Sequence, residues 1–154
     1  MSRYSQKSET QPGAATATNQ AVEAAYLALQ RTQRTVVGML IACAIVGTVA
    51  FRGTQSVLGN HIYLPVIFAT TLLGFAYTLR NSMVLPSLGE LRRNPRNPDL
   101  LKTWSRNNLI VQALCALVGL MGFALQLLGA APPIPIALYA ISGAYLFLLR
   151  PVRP

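Results

Sequence analysis

Two glutamines inside one apolar run are the side chains best placed for chemistry within a membrane. Gln112 and Gln126 are fourteen residues apart, close to four helical turns, so a helix carries them on similar faces near its opposite ends. Such amides can hydrogen-bond neighbouring helices, line a polar route or contact a ligand. The hydroxyls of Thr70 and Thr71, in another run, are the further candidates for a route. The sequence favours hydrogen bonds between helices.

Other reactive groups are sparse. The apolar runs contain no Asp, Glu, Lys or Arg, the residue types that transporters usually place at membrane depth. The sequence shows no heme-ligating histidine pair, zinc-ligand spacing, phosphate loop or serine-nucleophile motif. Cys43 and Cys115 lie in apolar runs and are interpreted as packing residues, and His61 as a solvated interfacial residue. We therefore predict no catalytic, metal-binding or cofactor-binding residue, and no enzymatic activity.

Four uncharged apolar runs must position these side chains. A chain with 53% hydrophobic and 11% charged residues is too apolar for a small water-soluble fold. As helices the runs reach roughly 24–32 Å, close to the ~30 Å hydrocarbon core of a bilayer. The sequence thus predicts an all-α membrane protein with four transmembrane helices in two tandem antiparallel hairpins. The predicted spans are residues 35–51, 62–79, 109–129 and 134–149.

The distribution of cations predicts the orientation of these spans. If all four cross the bilayer, twelve of the thirteen Lys and Arg fall on one side, and only Arg52 on the other. Because cations accumulate on the cytoplasmic side, both chain ends and the middle connection are predicted to be cytoplasmic, in a bacterial inner membrane. The positions of the cations suit membrane lipids rather than nucleic acid. The predicted interfacial anchors are Trp104, Arg80, Arg106 and Arg150.

Polar segments complete the predicted organisation. Residues 1–18 carry little apolar surface and are interpreted as a mobile cytoplasmic tail, with residues 19–154 as the membrane domain. An amphipathic helix then lies on the headgroups, continues into the first span or docks on another protein. In the cytoplasmic connection 80–106, Pro86 is expected to stop the second helix and Asn97 to cap the next one.

Small residues recur four positions apart within the spans. Such pairs predict close helix packing, either inside the bundle or against another subunit. The residues predicted to serve this packing are Gly38, Ala42, Gly74, Cys115, Gly119, Ala140 and Ala144. Segments 34–51 and 106–123 are also similar, which is typical either of duplicated hairpins related by an axis along the membrane normal or of biased membrane composition.

A resemblance covers about a quarter of the chain, within residues 109–150. It is carried by Ile110-Val111-Gln112-Ala113-Leu114-Cys115 and by Leu138-Tyr139. With these segments and its two-hairpin plan, the chain resembles small four-helix bacterial inner-membrane proteins of unknown function. Some of those proteins carry a glutamate after the Leu-Cys pair, whereas this chain has Ala116. The resemblance therefore implies no carboxylate function here.

These patterns favour a noncatalytic integral membrane protein that serves as a scaffold, accessory or assembly subunit. Its expected partners are membrane lipids and either another membrane protein or further copies of itself. One alternative is a small oligomeric transporter or channel with Gln112, Gln126, Thr70 and Thr71 along its route. Another is a protein that binds lipid or quinone between its helices. Convergence of the four polar residues on a water-accessible cavity would favour the transporter.

Overall fold

The protein is a helical bundle. A computed structural model describes residues 12–50, 63–95 and 97–153, and all regular secondary structure in these residues is helical. This confirms the predicted all-α class. The elements in chain order are α1 (Pro12–Ala50), α2 (Tyr63–Leu79), a π-helical turn (Arg80–Val84), α3 (Leu85–Arg93), α4 (Pro98–Leu127) and α5 (Pro133–Leu148).

Within the residues that the structure describes, three helical stretches are long and apolar enough to cross a membrane. They are Asn19–Val49, Tyr63–Arg93 and Pro98–Leu127. The fourth apolar helix, α5, has 16 residues and is roughly 24 Å long, which is shorter than a typical hydrocarbon core. Its flanking residues are therefore needed if it is to reach both membrane surfaces.

Helix α1 is one continuous helix of 39 residues. Of the three predicted arrangements for the amphipathic segment, the structure shows the one in which it runs straight into the first span. The helix begins at Pro12, inside the segment predicted to be a tail, and residues 1–11 of that segment lie outside the described residues. Proline suits this position because the first turn of a helix needs no backbone donor there.

The prediction that Pro86 ends the second helix is wrong. The chain stays helical from Tyr63 to Arg93 because a π turn precedes the proline. In this wider turn the backbone N–H of Leu85 donates to the carbonyl of Arg80, five residues earlier. Pro86 then occupies the first turn of α3, where its missing N–H costs little.

The ends of α4 follow sequence signals. The Asn97 side chain accepts a hydrogen bond from the backbone N–H of Asp99 at 3.0 Å, which confirms the predicted cap. At the other end, Gly129 adopts a positive φ of 74°. This conformation lets the N–H of Ala130 reach the carbonyl of Leu125 at 2.9 Å, a Schellman-type ending. The short turn that follows folds α5 back against α4, as the sequence predicts.

Helix α4 is the central element of the bundle. It packs against α1, α2, α3 and α5. Half of its most apolar 18-residue stretch is buried, compared with 11% for α1 and 17% for the stretch that contains α2. Most of the apolar surface of α1 and α2 therefore faces outward.

The predicted first hairpin is not a packed pair. Among the described residues α1 and α2 do not contact each other, and each packs against α4 instead. Helix α5 contacts both of them, so it lies between α1 and α2 on one side of α4. The connection predicted to join the first two spans, with Arg52 and His61, lies outside the described residues. Only α4 and α5 form the tight antiparallel hairpin that the sequence predicts.

The packing lacks the symmetry that duplicated hairpins predict. Helices α1 and α4 run parallel, since Leu40 packs at Gly119 and Gly47 at Gln126. This register differs by seven residues from the sequence alignment, in which Cys43 corresponds to Cys115. Seven residues are about 10 Å of helix, so the aligned cysteines lie at different depths. A two-fold axis along the membrane normal would place them at the same depth.

Replacing Gly119 with valine tests the close approach of α1 and α4. We expect Gly119→Val to lower the free energy of unfolding by about 1–3 kcal/mol, because its Cβ would overlap the buried Leu40 side chain. Gly38→Val is the matched control, since no atom lies within 4 Å of the position its Cβ would take. Unfolding of both variants in one detergent measures the difference. Equal losses would contradict the described interface.

Candidate functional site

The polar groups of the bundle interior lie where α1, α4 and α5 meet. In one layer Gly47, Gln126 and Tyr139 come together. In a second layer, two turns away along α1 and α4, Leu40 and Ser142 surround Gly119. The Ser142 hydroxyl donates to the carbonyl of Cys115 at 2.6 Å. Each layer thus combines a glycine, which permits close approach, with a hydrogen bond between helices.

Gln126 contacts neighbouring helices, as the sequence favours. Its Oε1 accepts a hydrogen bond from the Tyr139 hydroxyl at 2.9 Å, and both side chains are buried. A methyl group at Gly47 would overlap the Gln126 amide, so the absence of a side chain on α1 makes room for this pair. Tyr139 is accordingly a packing residue of α5.

Gln112 is also buried, but its amide makes no hydrogen bond to the described residues. Only 4% of it is exposed, and neither its Nε2 nor its Oε1 has a hydrogen-bond partner among the described residues. The seven-residue step from Gln126 to Gly119 continues to Gln112, and the same step on α1 runs from Gly47 through Leu40 to Gln33. Gln112 therefore lies at the level of Gln33, whose Nε2 donates to the carbonyl of Leu146 at 2.6 Å.

The four residues proposed to line a route do not converge. Thr70 and Thr71 are exposed, and their hydroxyls donate to carbonyls of their own helix, including that of Ile67. Gln112 and Gln126 are buried at the junction of α1, α4 and α5. Within one chain, the threonines therefore lie on the exterior and the glutamines in the interior, and this geometry does not support the transporter route.

The small residues divide into two groups. Cys115 and Gly119 are buried and pack inside the bundle as predicted. Among the remaining predicted packing residues, Gly38 and Gly74 have no described atom within 4 Å of the position that a Cβ would take. All five residues of this second group are exposed. These are Gly38, Ala42, Gly74, Ala140 and Ala144. For the exposed group, packing against another subunit stays a prediction.

The predicted interfacial anchors also differ from one another. Trp104 is fully buried, so the prediction that its ring sits among lipid headgroups does not fit the structure. Trp104 belongs to α4, which packs against both the π turn and α3. Arg106 and Arg150 are exposed and Arg80 is partly exposed, so these three remain available to a membrane surface.

The segment 150–153 joins two helices at the same end of the bundle. Arg153 forms an ion pair with Glu23 of α1 at 2.6 Å, and its carbonyl accepts a hydrogen bond from Arg92 of α3 at 3.1 Å. Both contacts are exposed, so they position the segment more than they stabilise the fold.

A cavity of about 350 Å³ opens beside this segment, between α1 and the end of α5. Two arginines, Arg34 and Arg150, line it together with several polar and apolar side chains. The other lining residues are Tyr26, Gln30, Gln33, Val37, Phe147 and Pro151. In the sequence Arg34 directly precedes the first predicted span and Arg150 directly follows the fourth, but their positions in the chain do not predict a shared cavity.

The bundle junction is suited to holding helices together. Its members are amides, hydroxyls and glycines, which form hydrogen bonds and close contacts but are not acids or bases near neutral pH. Within the part of the chain that the structure describes, no three His, Cys, Asp or Glu residues form a group that could hold a metal ion. Comparisons with protein-family models, curated proteins and solved structures found no match.

Several contributors to the junction were not singled out from the sequence. Gly47 and Gly122 permit the approach of α1 and α5, and Gln33 and Ser142 supply hydrogen bonds. The repeat of Gln33, Leu40 and Gly47 at seven-residue intervals was a usable signal, because it matches Gln112, Gly119 and Gln126 on α4. This match has a meaning only if α1 packs against α4, whereas the sequence predicted that the first span packs against the second.

The two buried glutamines should respond oppositely to replacement by leucine. Gln126→Leu is expected to lower the free energy of unfolding by about 1–2 kcal/mol, because it leaves the Tyr139 hydroxyl buried without its partner. Gln112→Leu should be neutral or stabilising, since it removes an amide that makes no hydrogen bond to the described residues.

Unfolding in detergent, with Tyr139→Phe and the Gln126→Leu/Tyr139→Phe double variant, gives the coupling energy of the pair. The pair is expected to account for most of the Gln126→Leu loss. A larger loss for Gln112→Leu than for Gln126→Leu would refute the described polar contacts.

Proposed function

We propose that this chain is a noncatalytic integral membrane protein that serves as a scaffold, accessory or assembly subunit. In this proposal all four apolar helices span a bacterial inner membrane, with α5 completed by its flanking residues. Its task is to bind a transmembrane helix of a partner protein in the gap between α1 and α2, on the side of α4 opposite α5. The central helix α4 would form the floor of that gap.

One observation carries this proposal: the central helix of the bundle is uncovered on one side. Leucines Leu109, Leu117, Leu120 and Leu127 of α4 are 39–47% exposed. They share one helix face, opposite the face that packs against α5. Since α1 and α2 do not contact each other, nothing in the described residues covers this stripe.

A helix is the occupant that best suits this stripe in lipid. Lipid tails are as apolar as leucine, so exposed leucines alone do not drive association in a membrane. Ala113 and Ala124 lie between the leucines and are also exposed, which allows a second helix to approach α4 closely. The exposed Gly38 and Ala42 on α1 offer a further surface of the same kind. The glutamines and threonines that would line a transport route do not lie on this stripe, because the glutamines are buried and the threonines belong to α2.

Crosslinking in living cells tests the partner contact. A photoreactive amino acid at position 117 should give a discrete adduct that mass spectrometry identifies as one membrane protein, recovered at a fixed ratio in mild detergent. The same reagent at Ile67, on the outer face of α2, is the matched control and should give lipid adducts. An adduct with a second copy of this chain would favour the homo-oligomer, and lipid adducts alone at position 117 would contradict the proposal.

The proposed orientation has a separate test. Gly89 is exposed in α3, on the side predicted to be cytoplasmic, and Ser56 belongs to the predicted external connection outside the described residues. A membrane-impermeant thiol reagent applied to intact cells should label Ser56→Cys and leave Gly89→Cys unlabelled. The wild-type chain, whose Cys43 and Cys115 lie within apolar helices, is the control. Labelling of both positions from the same side would refute the four-span topology.

A further inference from the structure

We propose that the cavity between α1 and α5 is a binding site for the headgroup of an anionic glycerophospholipid. This inference goes beyond the partner contact, and it depends on the membrane placement proposed above. It concerns a different surface from the leucine stripe of α4. Three observations support it: the charge of the cavity, its depth and the character of its walls.

The charge of the cavity suits an anion. Arg34 and Arg150 come from different helices yet line the same space of about 350 Å³. No carboxylate is among the described residues that line it. The nearest acid along α1 is Glu23, one turn before Tyr26, and it is already paired with Arg153. Two arginines that share a cavity repel each other, and a phosphate between them would remove that cost through charge-assisted hydrogen bonds.

The polar side chains add a neutral donor. The Nε2 of Gln30 donates to the hydroxyl oxygen of Tyr26 at 2.8 Å, which leaves the tyrosine hydrogen free to donate. Gln33 is held differently, because its amide binds the carbonyl of Leu146 and thereby joins α1 to α5 beside the cavity. The walls are therefore fixed by contacts within the chain, and the arginines and Tyr26 can donate to a bound group.

The depth of the cavity indicates a lipid rather than a soluble anion. Arg34 directly precedes the first predicted span and Arg150 directly follows the fourth, so both lie at the level of a membrane surface. Val37 and Phe147 lie about one turn deeper, and Phe147 is 69% exposed. Beyond Phe147, Gly143 has no atom within 4 Å of the position of a Cβ. An amphiphile fits this order, with its phosphate at the arginines and an acyl chain along α5.

The orientation of the protein specifies the charge of the lipid. The predicted cytoplasmic leaflet carries the anionic lipids, and each cation near that surface favours their binding. A zwitterionic lipid also has a phosphate, but its own ammonium group would meet the two arginines. We therefore expect a preference for phosphatidylglycerol over phosphatidylethanolamine.

Native mass spectrometry of the full chain in detergent tests this preference. Titration with phosphatidylglycerol should show one tightly bound lipid, and Arg34→Gln/Arg150→Gln should weaken its binding about tenfold or more. The matched control is Arg31→Gln/Arg106→Gln, which removes the same charge from exposed arginines that do not line the cavity. Equal weakening in both double variants would show general surface attraction and overturn the site.

A second measurement does not depend on removing arginine. Phe147→Trp places a fluorophore at the cavity, while the only native tryptophan, Trp104, is fully buried. Phosphatidylglycerol with brominated acyl chains should quench the new fluorescence more strongly than brominated phosphatidylethanolamine at the same mole fraction. Equal quenching by the two lipids would refute the headgroup preference. Displacement of the bound lipid by millimolar inorganic phosphate would instead assign the cavity to a free anion and overturn the lipid proposal.

Discussion

Close approach of helix backbones to α4 is the constraint on which the rest of the bundle depends. Water excluded from an interface drives folding in solution, but lipid surrounding a helix is as apolar as the partner it would replace. In the proposed membrane placement, contacts at short range and hydrogen bonds between helices must therefore hold the bundle together. Gly47, Gly119 and Gly122 permit the short range, and Ser142 and the Gln126–Tyr139 pair supply the hydrogen bonds.

The proposed membrane placement also accounts for the apolar exterior. The layers at the junction of α1, α4 and α5 bury one face of each helix, while the opposite faces keep large exposed side chains such as Ile45, Leu117 and Leu148. In water such surfaces would aggregate, whereas in lipid they are solvated at no cost. Two side chains are exceptions in the interior, because the buried amide of Gln112 and the buried indole Nε1 of Trp104 form no hydrogen bond to the described residues.

Local features of the fold were predictable from the sequence, and its long-range pairings were not. Uncharged runs of sufficient length gave the helices, and Asn97 and the short turn before Pro133 gave the cap and the second hairpin. The prediction from Pro86 was wrong because the π turn before it replaces the usual four-residue hydrogen bonds with five-residue ones. The missing N–H of Pro86 then falls in the first turn of α3. The contact of Gly47 with Gln126 depended on whether α1 packs on α2 or on α4, and leucine-rich faces do not determine that choice. For the same reason the meeting of Arg34 with Arg150 could not be seen from their positions in the chain.

Because α1 is one unbroken helix, a tilt at one of its ends displaces the other end. Its 39 residues form a rod of roughly 58 Å, about twice the thickness of a hydrocarbon core. In the proposed placement, the portion before residue 35 projects about 35 Å from the membrane as an extension of the same rod. In that placement, a 10° tilt about the membrane surface would move the far tip by about 6 Å, so a change of bilayer thickness that tilts the span would also shift the tip.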